Sequence, residues 1–160
     1  MERLIASTIV FHDSVLNISR NDNEAASAAL WQRLASGSRR LPREVIRQVR
    51  TAIEATAHHT DPVAGAGCNS WVQWVLDLDL SPMGSSRHRV RSNRSRLRSE
   101  CLYLSASAWQ EHVERFLQAL QDRDRIFHSP PFTTALEVNA RHYACCTLAT
   151  LSRTRAPALP

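Results

Sequence analysis

The chain has 160 residues, 43% hydrophobic and 22% charged, which is enough apolar content to bury a core and excludes wholesale disorder. Its formal net charge of +5 rests on arginine alone, because all 20 basic residues are arginine and lysine is absent. Every cation is therefore a planar, permanently charged fork suited to phosphate and carboxylate, and no window approaches the roughly 18 apolar residues of a membrane span.

In chain order, Leu4–Phe11 is rich in β-branched residues and reads as a strand or as the start of a buried helix; so short a run does not decide between them. Its apolar centre resembles a short signal core. Glu2 precedes it, however, His12 and Asp13 follow, and no small-residue cleavage pattern comes next. Asn21 and Glu24 have the spacing of a capping box. Ala25, Ala29, Leu30 and Leu34 then form an apolar stripe that Gly37 ends. A second helix opens at Pro42, with Glu44 near its N-terminus and Val45, Ile46, Val49, Ile53 and Ala57 on one face. His59-Thr60-Asp61-Pro62 and the Gly65–Gly67 stretch break the pattern and form the most natural boundary in the chain.

Residues 71–80 fit two periods. Val72, Trp74, Leu76, Leu78 and Leu80 alternate as in a strand, while Trp71, Trp74, Val75 and Leu78 share one helix face; the late Asp-Leu-Asp-Leu alternation favours a strand at the C-terminal end. After the arginine-rich residues 87–98, Glu100–Leu104 reads as a short strand. Ser107 and Gln110 open a helix over 107–124 that carries Trp109, Val113, Phe116, Leu117 and Leu120 on one face. His128-Ser129-Pro130-Pro131 ends it. A last helix over 134–151 buries Leu136, Ala140, Tyr143, Ala144 and Leu148. Residues 152–160 are expected to form a flexible tail. The fold expected is mainly α, four or so amphipathic helices with one or two short strands, in a single compact domain over residues 1–151.

The positive charge is local. Residues 1–80 carry net −1 and residues 81–160 net +6, and the run Arg-His-Arg-Val-Arg-Ser-Asn-Arg-Ser-Arg-Leu-Arg at 87–98 holds six arginines and no acid. Without it the chain is net −1. Six guanidinium groups so close together repel one another, and a phosphate backbone relieves that repulsion while releasing counterions. In an extended conformation Arg87, Arg89 and Arg91 lie on one face, and Arg94, Arg96 and Arg98 form a second trio. These six are the candidate nucleic-acid-binding residues, with DNA or RNA, or an acidic protein surface, as partner. The run also suits nuclear import, and Arg87-x-Arg89-x-x-Ser92 suits a basophilic kinase, whose phosphate would cancel part of the charge. The order basic strand, helix 107–124, turn, helix 134–151 resembles ribbon-helix-helix DNA-binding proteins over about 65 residues. That resemblance implies a homodimer whose paired strands enter the major groove.

Cys68, Cys101, Cys145 and Cys146 form no Cys-x-x-Cys pair, so no zinc spacing or disulfide framework is present. An intracellular, reducing compartment, cytoplasmic or nuclear, is expected, with no cofactor or metal. The stretch Gly67-Cys68-Asn69-Ser70-Trp71-Val72 resembles the nucleophile segment of papain-like cell-wall hydrolases, in which a cysteine opens a helix whose N-terminus steadies the thiolate. That resemblance implies a thiol hydrolase using Cys68, with a histidine as base. His58-His59 with Asp61 and Cys68, and His142 with Cys145 and Cys146, of which His142 and Cys146 share a helix face one turn apart, are smaller groups of metal-ligand type. The reading favoured is a non-enzymatic regulatory or accessory protein, of viral or overlapping-frame origin, that binds nucleic acid or another polyanion. The thiol hydrolase and a helical protein-interaction module with an acidic partner are the alternatives. Three readings of the missing lysine compete: GC-rich coding, which should also favour glycine, present only 4 times; an overlapping frame, which carries no such expectation; and selection against lysine, which would escape ubiquitin attachment or acetylation.

Overall fold

The computed structural model describes residues 1–17, 19–58 and 70–155. Its elements are α1 (Glu2–Phe11), α2 (Asn23–Ser36), α3 (Arg43–Thr56), α4 (Ser70–Leu80), a 3₁₀ turn (Ser81–Gly84), α5 (Arg87–Glu100), α6 (Ala106–Gln121) and α7 (Pro130–Arg155). The chain is mainly helical, and no strand occurs among the described residues. The two short strands expected at 71–80 and 100–104 are a helix and a turn respectively. Its contacts group into two compact units, one taking in α1 to α3 and α4 as far as Asp79, the other running from Leu80 onward.

In the first unit Leu4–Phe11 belongs to a helix, with its side chains Leu4 and Phe11 packed on a core of Ala28, Trp31, Ala35, Ile46, Val49 and Ile53. Of the expected α3 face, Ile46, Val49 and Ile53 are buried and Val45 half-buried, while Ala57, the C-cap, is exposed. The expected α2 face is not the buried one, since Ala25 and Ala29 are exposed and Leu34 is 57% exposed. Trp31 sets the rotation of α2, because its ring contributes the largest apolar area and its N–H needs a partner once buried. The indole Nε1–H donates to the Ile46 carbonyl at 3.0 Å, and Phe11 meets the ring edge-on at 5.0 Å. Asp22, not Asn21, is the N-cap, and it makes no side-chain cap bond. Instead the buried Asn23 amide ties down the preceding loop, accepting from Asn17 N–H at 2.8 Å and donating to Asn17 O at 3.0 Å.

Within α4 the buried residues are Val72, Val75, Leu76, Asp77 and Leu80. That spacing of three and four is helical, yet it matches neither face expected from the sequence. Trp74 and Leu78, shared by both readings, are exposed. The alternation of the Asp-Leu-Asp-Leu tail was a coincidence of composition, since a helix brings Leu76 and Leu80 to the same side equally well.

In the second unit Leu80, Leu120, Ile126, Phe127 and Ala140 form a core joined by Met83, Phe116, Phe132 and Leu136. Ser105, two residues before Ser107, caps α6, its hydroxyl accepting from Ala108 N–H at 3.1 Å. Pro130 and Pro131 open α7 instead of ending a helix, because the first turn needs no N–H from either ring. Between α6 and α7 the chain is pinned by Glu137, which accepts from Ile126 N–H and Phe127 N–H at 3.0 and 3.1 Å. Arg141 binds Glu137 at 2.7 Å and reaches the carbonyls of Arg123 and Asp124. Gly84 lets the 3₁₀ turn lie directly on α7, where an added Cβ would stand 2.5 Å from Leu136 Cβ and 2.7 Å from its carbonyl oxygen. Helix α7 continues through 152–155, residues that composition had placed in the flexible tail; 156–160 lie outside the described residues.

Candidate anion-binding groove

The arginine segment is helical from end to end, not extended. Arginine is a good helix former, no glycine or proline interrupts 87–100, and Ser86 caps the N-terminus by accepting from Arg89 N–H at 3.4 Å. Only Val90 is buried on α5, so the helix is anchored at its ends and at one apolar position. Pairing of like charges at i, i+4 costs roughly 0.2–0.5 kcal/mol per pair, too little to melt a capped helix held at Val90.

Helical geometry re-sorts the six cations. Arg87, Arg91, Arg94 and Arg98 follow one another at i, i+4, i+7 and i+11 and form a single stripe, while Arg89 and Arg96 stand on the opposite side. The two trios expected for a strand therefore do not form. With no strand at 87–98 the arrangement of ribbon-helix-helix proteins is absent here too.

Arg98 is committed to the fold. Its Nη1 donates to Cys101 O at 2.7 Å, its Nη2 to Leu104 O at 3.2 Å, and the guanidinium lies 5.7 Å from the Trp109 ring centre. Arg87, Arg91 and Arg94 instead line a groove of about 560 Å³ whose other wall is α7, with Asn139, His142, Tyr143, Cys146, Thr147 and Thr150. Arg87 Nη2 donates to His142 Nε2 at 3.3 Å. A guanidinium cannot accept, so Nε2 is the acceptor in this contact. Cys146 Sγ lies 3.6 Å from the same Nε2.

Among the described residues no carboxylate pairs with Arg89, Arg91, Arg94 or Arg96. Elsewhere Arg20, Arg47, Arg50 and Arg141 each bind an acid, with Asp22, Glu44, Glu54 and Glu137 as partners. The α5 arginines were evident from composition. The polar residues of α7 were not, because nothing local to 139–150 indicates that it faces α5. Tyr143, expected in the core, is half-buried and opens onto the groove.

A second cluster sits in the first unit, where His12, Asp13 and Asp79 bring three donor atoms within 4.8 Å of one another. A divalent cation could use that spacing, but the place is filled by a proton. His12 Nδ1–H donates to Ile9 O at 2.8 Å, and Nε2–H faces Asp79 Oδ1 at 3.1 Å and Asp13 Oδ2 at 3.2 Å. Burial opposes the charge on His12, yet the hydrogen bonds and charges of the two carboxylates outweigh it and raise its pKa to about 10.

Cys68, with His59 and Asp61, lies outside the described residues. Cys101 is buried, whereas Cys145 and Cys146 are exposed; all three are free thiols. No helix among the described residues is long and apolar enough to cross a membrane. Comparison of the chain with family models, with curated proteins and with solved structures finds no match.

Proposed function

We propose that the protein is a non-enzymatic accessory protein that binds nucleic acid through α5. One observation carries this reading: Arg89, Arg91, Arg94 and Arg96 stand within eight residues of one helix without carboxylate partners among the described residues, in a run, 87–98, that holds no acid of its own. A phosphate backbone supplies the missing anions in a row and releases counterions as it binds. The free thiols of Cys101, Cys145 and Cys146 fit a reducing compartment, cytoplasm or nucleus, where such a partner is found.

The test is retention of labelled DNA and RNA, at two salt concentrations, by the wild type and by a variant with Arg89, Arg91, Arg94 and Arg96 changed to glutamine. The variant is expected to bind at least tenfold more weakly and with a flatter salt dependence. Equal retention of the two proteins would overturn the proposal.

A further inference from the structure

The groove narrows the kind of nucleic acid. Resting on the reading above, we infer that it seats a single strand, with phosphates on Arg87, Arg91 and Arg94 and a base on Tyr143. Three observations converge. First, the three arginines lie along one wall, with successive rises of about 6 and 4.5 Å at 1.5 Å per helical residue, a ladder on the scale of the repeat of an extended sugar-phosphate strand. Secondly, the facing wall is polar and partly aromatic. Asn139 Nδ2 donates to Gly84 O at 3.3 Å and keeps a second N–H and its amide oxygen, Thr150 Oγ1 donates to Cys146 O at 2.8 Å and keeps its lone pairs for sugar or base donors, and Tyr143 is the aromatic side chain that lines this wall.

The third observation is shape. The site is concave, about 560 Å³ in volume, with α7 opposite the arginines. A duplex is recognised by a helix that projects into a major groove about 12 Å wide, and here the stripe of Arg87, Arg91 and Arg94 faces α7 across the groove. The projecting side of α5 carries only Arg89 and Arg96. A single strand needs what the groove has, cations that follow a backbone and an aromatic platform for a base. The arginine segment contains no aromatic residue, and folding supplies one from α7, more than 40 residues further along the chain.

The experiment is fluorescence anisotropy with a labelled 12-nucleotide DNA, an RNA of the same sequence, and the corresponding duplex, all in low salt. The single strands are expected to bind at least tenfold more tightly than the duplex. Changing Arg87, Arg91 and Arg94 to glutamine should weaken single-strand binding at least tenfold, and changing Arg89 and Arg96 should weaken it by less than threefold. Tyr143→Ala should cost roughly 5- to 150-fold, the equivalent of one stacked base, while Tyr143→Phe keeps the ring and should bind within twofold of wild type. Circular dichroism establishes that each variant is folded, and the Phe variant keeps the stacking test valid if the Ala variant is not. Duplex binding equal to or tighter than single-strand binding, with the larger loss on changing Arg89 and Arg96, would overturn the single-strand inference while leaving nucleic-acid binding intact. Binding of neither form would overturn both, and would point to an acidic protein as the partner of α5.

Discussion

A guanidinium has five N–H donors and no acceptor, so an arginine late in a helix can either complete the helix end or reach for an external anion. Arg98 does the first. Its two bonds to Cys101 O and Leu104 O satisfy carbonyls that follow α5, and its position over Trp109 holds α5 to the start of α6. Hydrogen bonds to a charged group contribute about 1.5–3 kcal/mol where partly buried, so Arg98→Gln is expected to cost about 1–3 kcal/mol of stability. In a chain of this size each kcal/mol lowers the thermal midpoint by roughly 2–4 °C. Arg91, exposed on the groove side, makes no such bonds, and Arg91→Gln is expected to leave the midpoint within about 1 °C while weakening nucleic-acid binding more than Arg98→Gln does. Thermal melting of the two variants followed by circular dichroism checks the first half, and anisotropy the second. A midpoint for Arg98→Gln equal to wild type would show that its bonds add nothing to the fold.

At the scale of elements, α1 and α4 are joined by a charge that titrates. His12 follows directly on α1, and its imidazolium bridges Asp13 and Asp79, the latter on α4. Its folded pKa of about 10 lies above the ordinary value of 6.5, so the folded state holds the proton more tightly than the unfolded chain. The resulting stabilisation is complete below about pH 6.5; it shrinks as pH rises and is lost through about pH 10. With no lysine in the chain, the other groups of ordinary pKa in that window are the α-amino group, the thiols and the two tyrosines, and His12→Gln leaves all of these in place. The thermal midpoint is therefore expected to fall between pH 7 and 10 in the wild type and to fall less in His12→Gln; parallel curves would rule the bridge out. This clasp was not legible in the sequence, because it joins residues 12 and 79. Helices α3 and α6 were legible, since Ile46, Val49 and Ile53, or Trp109, Val113 and Leu117, repeat at a helical period with polar residues between them. In α2 alanine occurs on several faces and the stripe was misplaced, whereas in α5 the density of like charges suggested an extended chain. The structure favours the helix there because two ends and Val90 are anchored, and local charge repulsion is the smaller effect.

For the whole molecule the question is whether net charge or its placement governs binding. The chain is net +5 but would be net −1 without residues 87–98, so its basicity belongs almost entirely to one helix. The first unit also presents arginines, among them Arg39, Arg40 and Arg43, all exposed and close in sequence. Arg40 directly precedes Leu41-Pro42, and Arg43 opens α3, so these cations are spread over a turn and a helix start and do not share one helix face. Replacing Arg39, Arg40 and Arg43 by glutamine removes the same charge as replacing Arg87, Arg91 and Arg94, and the two variants have equal net charge. If net charge alone attracted the partner, both would weaken binding alike and change the salt dependence alike. If the groove holds the strand, each phosphate bound contributes about 0.7 to the slope of log K against log salt. The groove variant should then lose about 2 from that slope, and the Arg39, Arg40, Arg43 variant less than about 0.5. Titration of a labelled single strand across 50–200 mM salt, a range in which such contacts are strongly screened, measures both slopes. Equal losses in the two variants would mean that α5 acts only through its contribution to total charge.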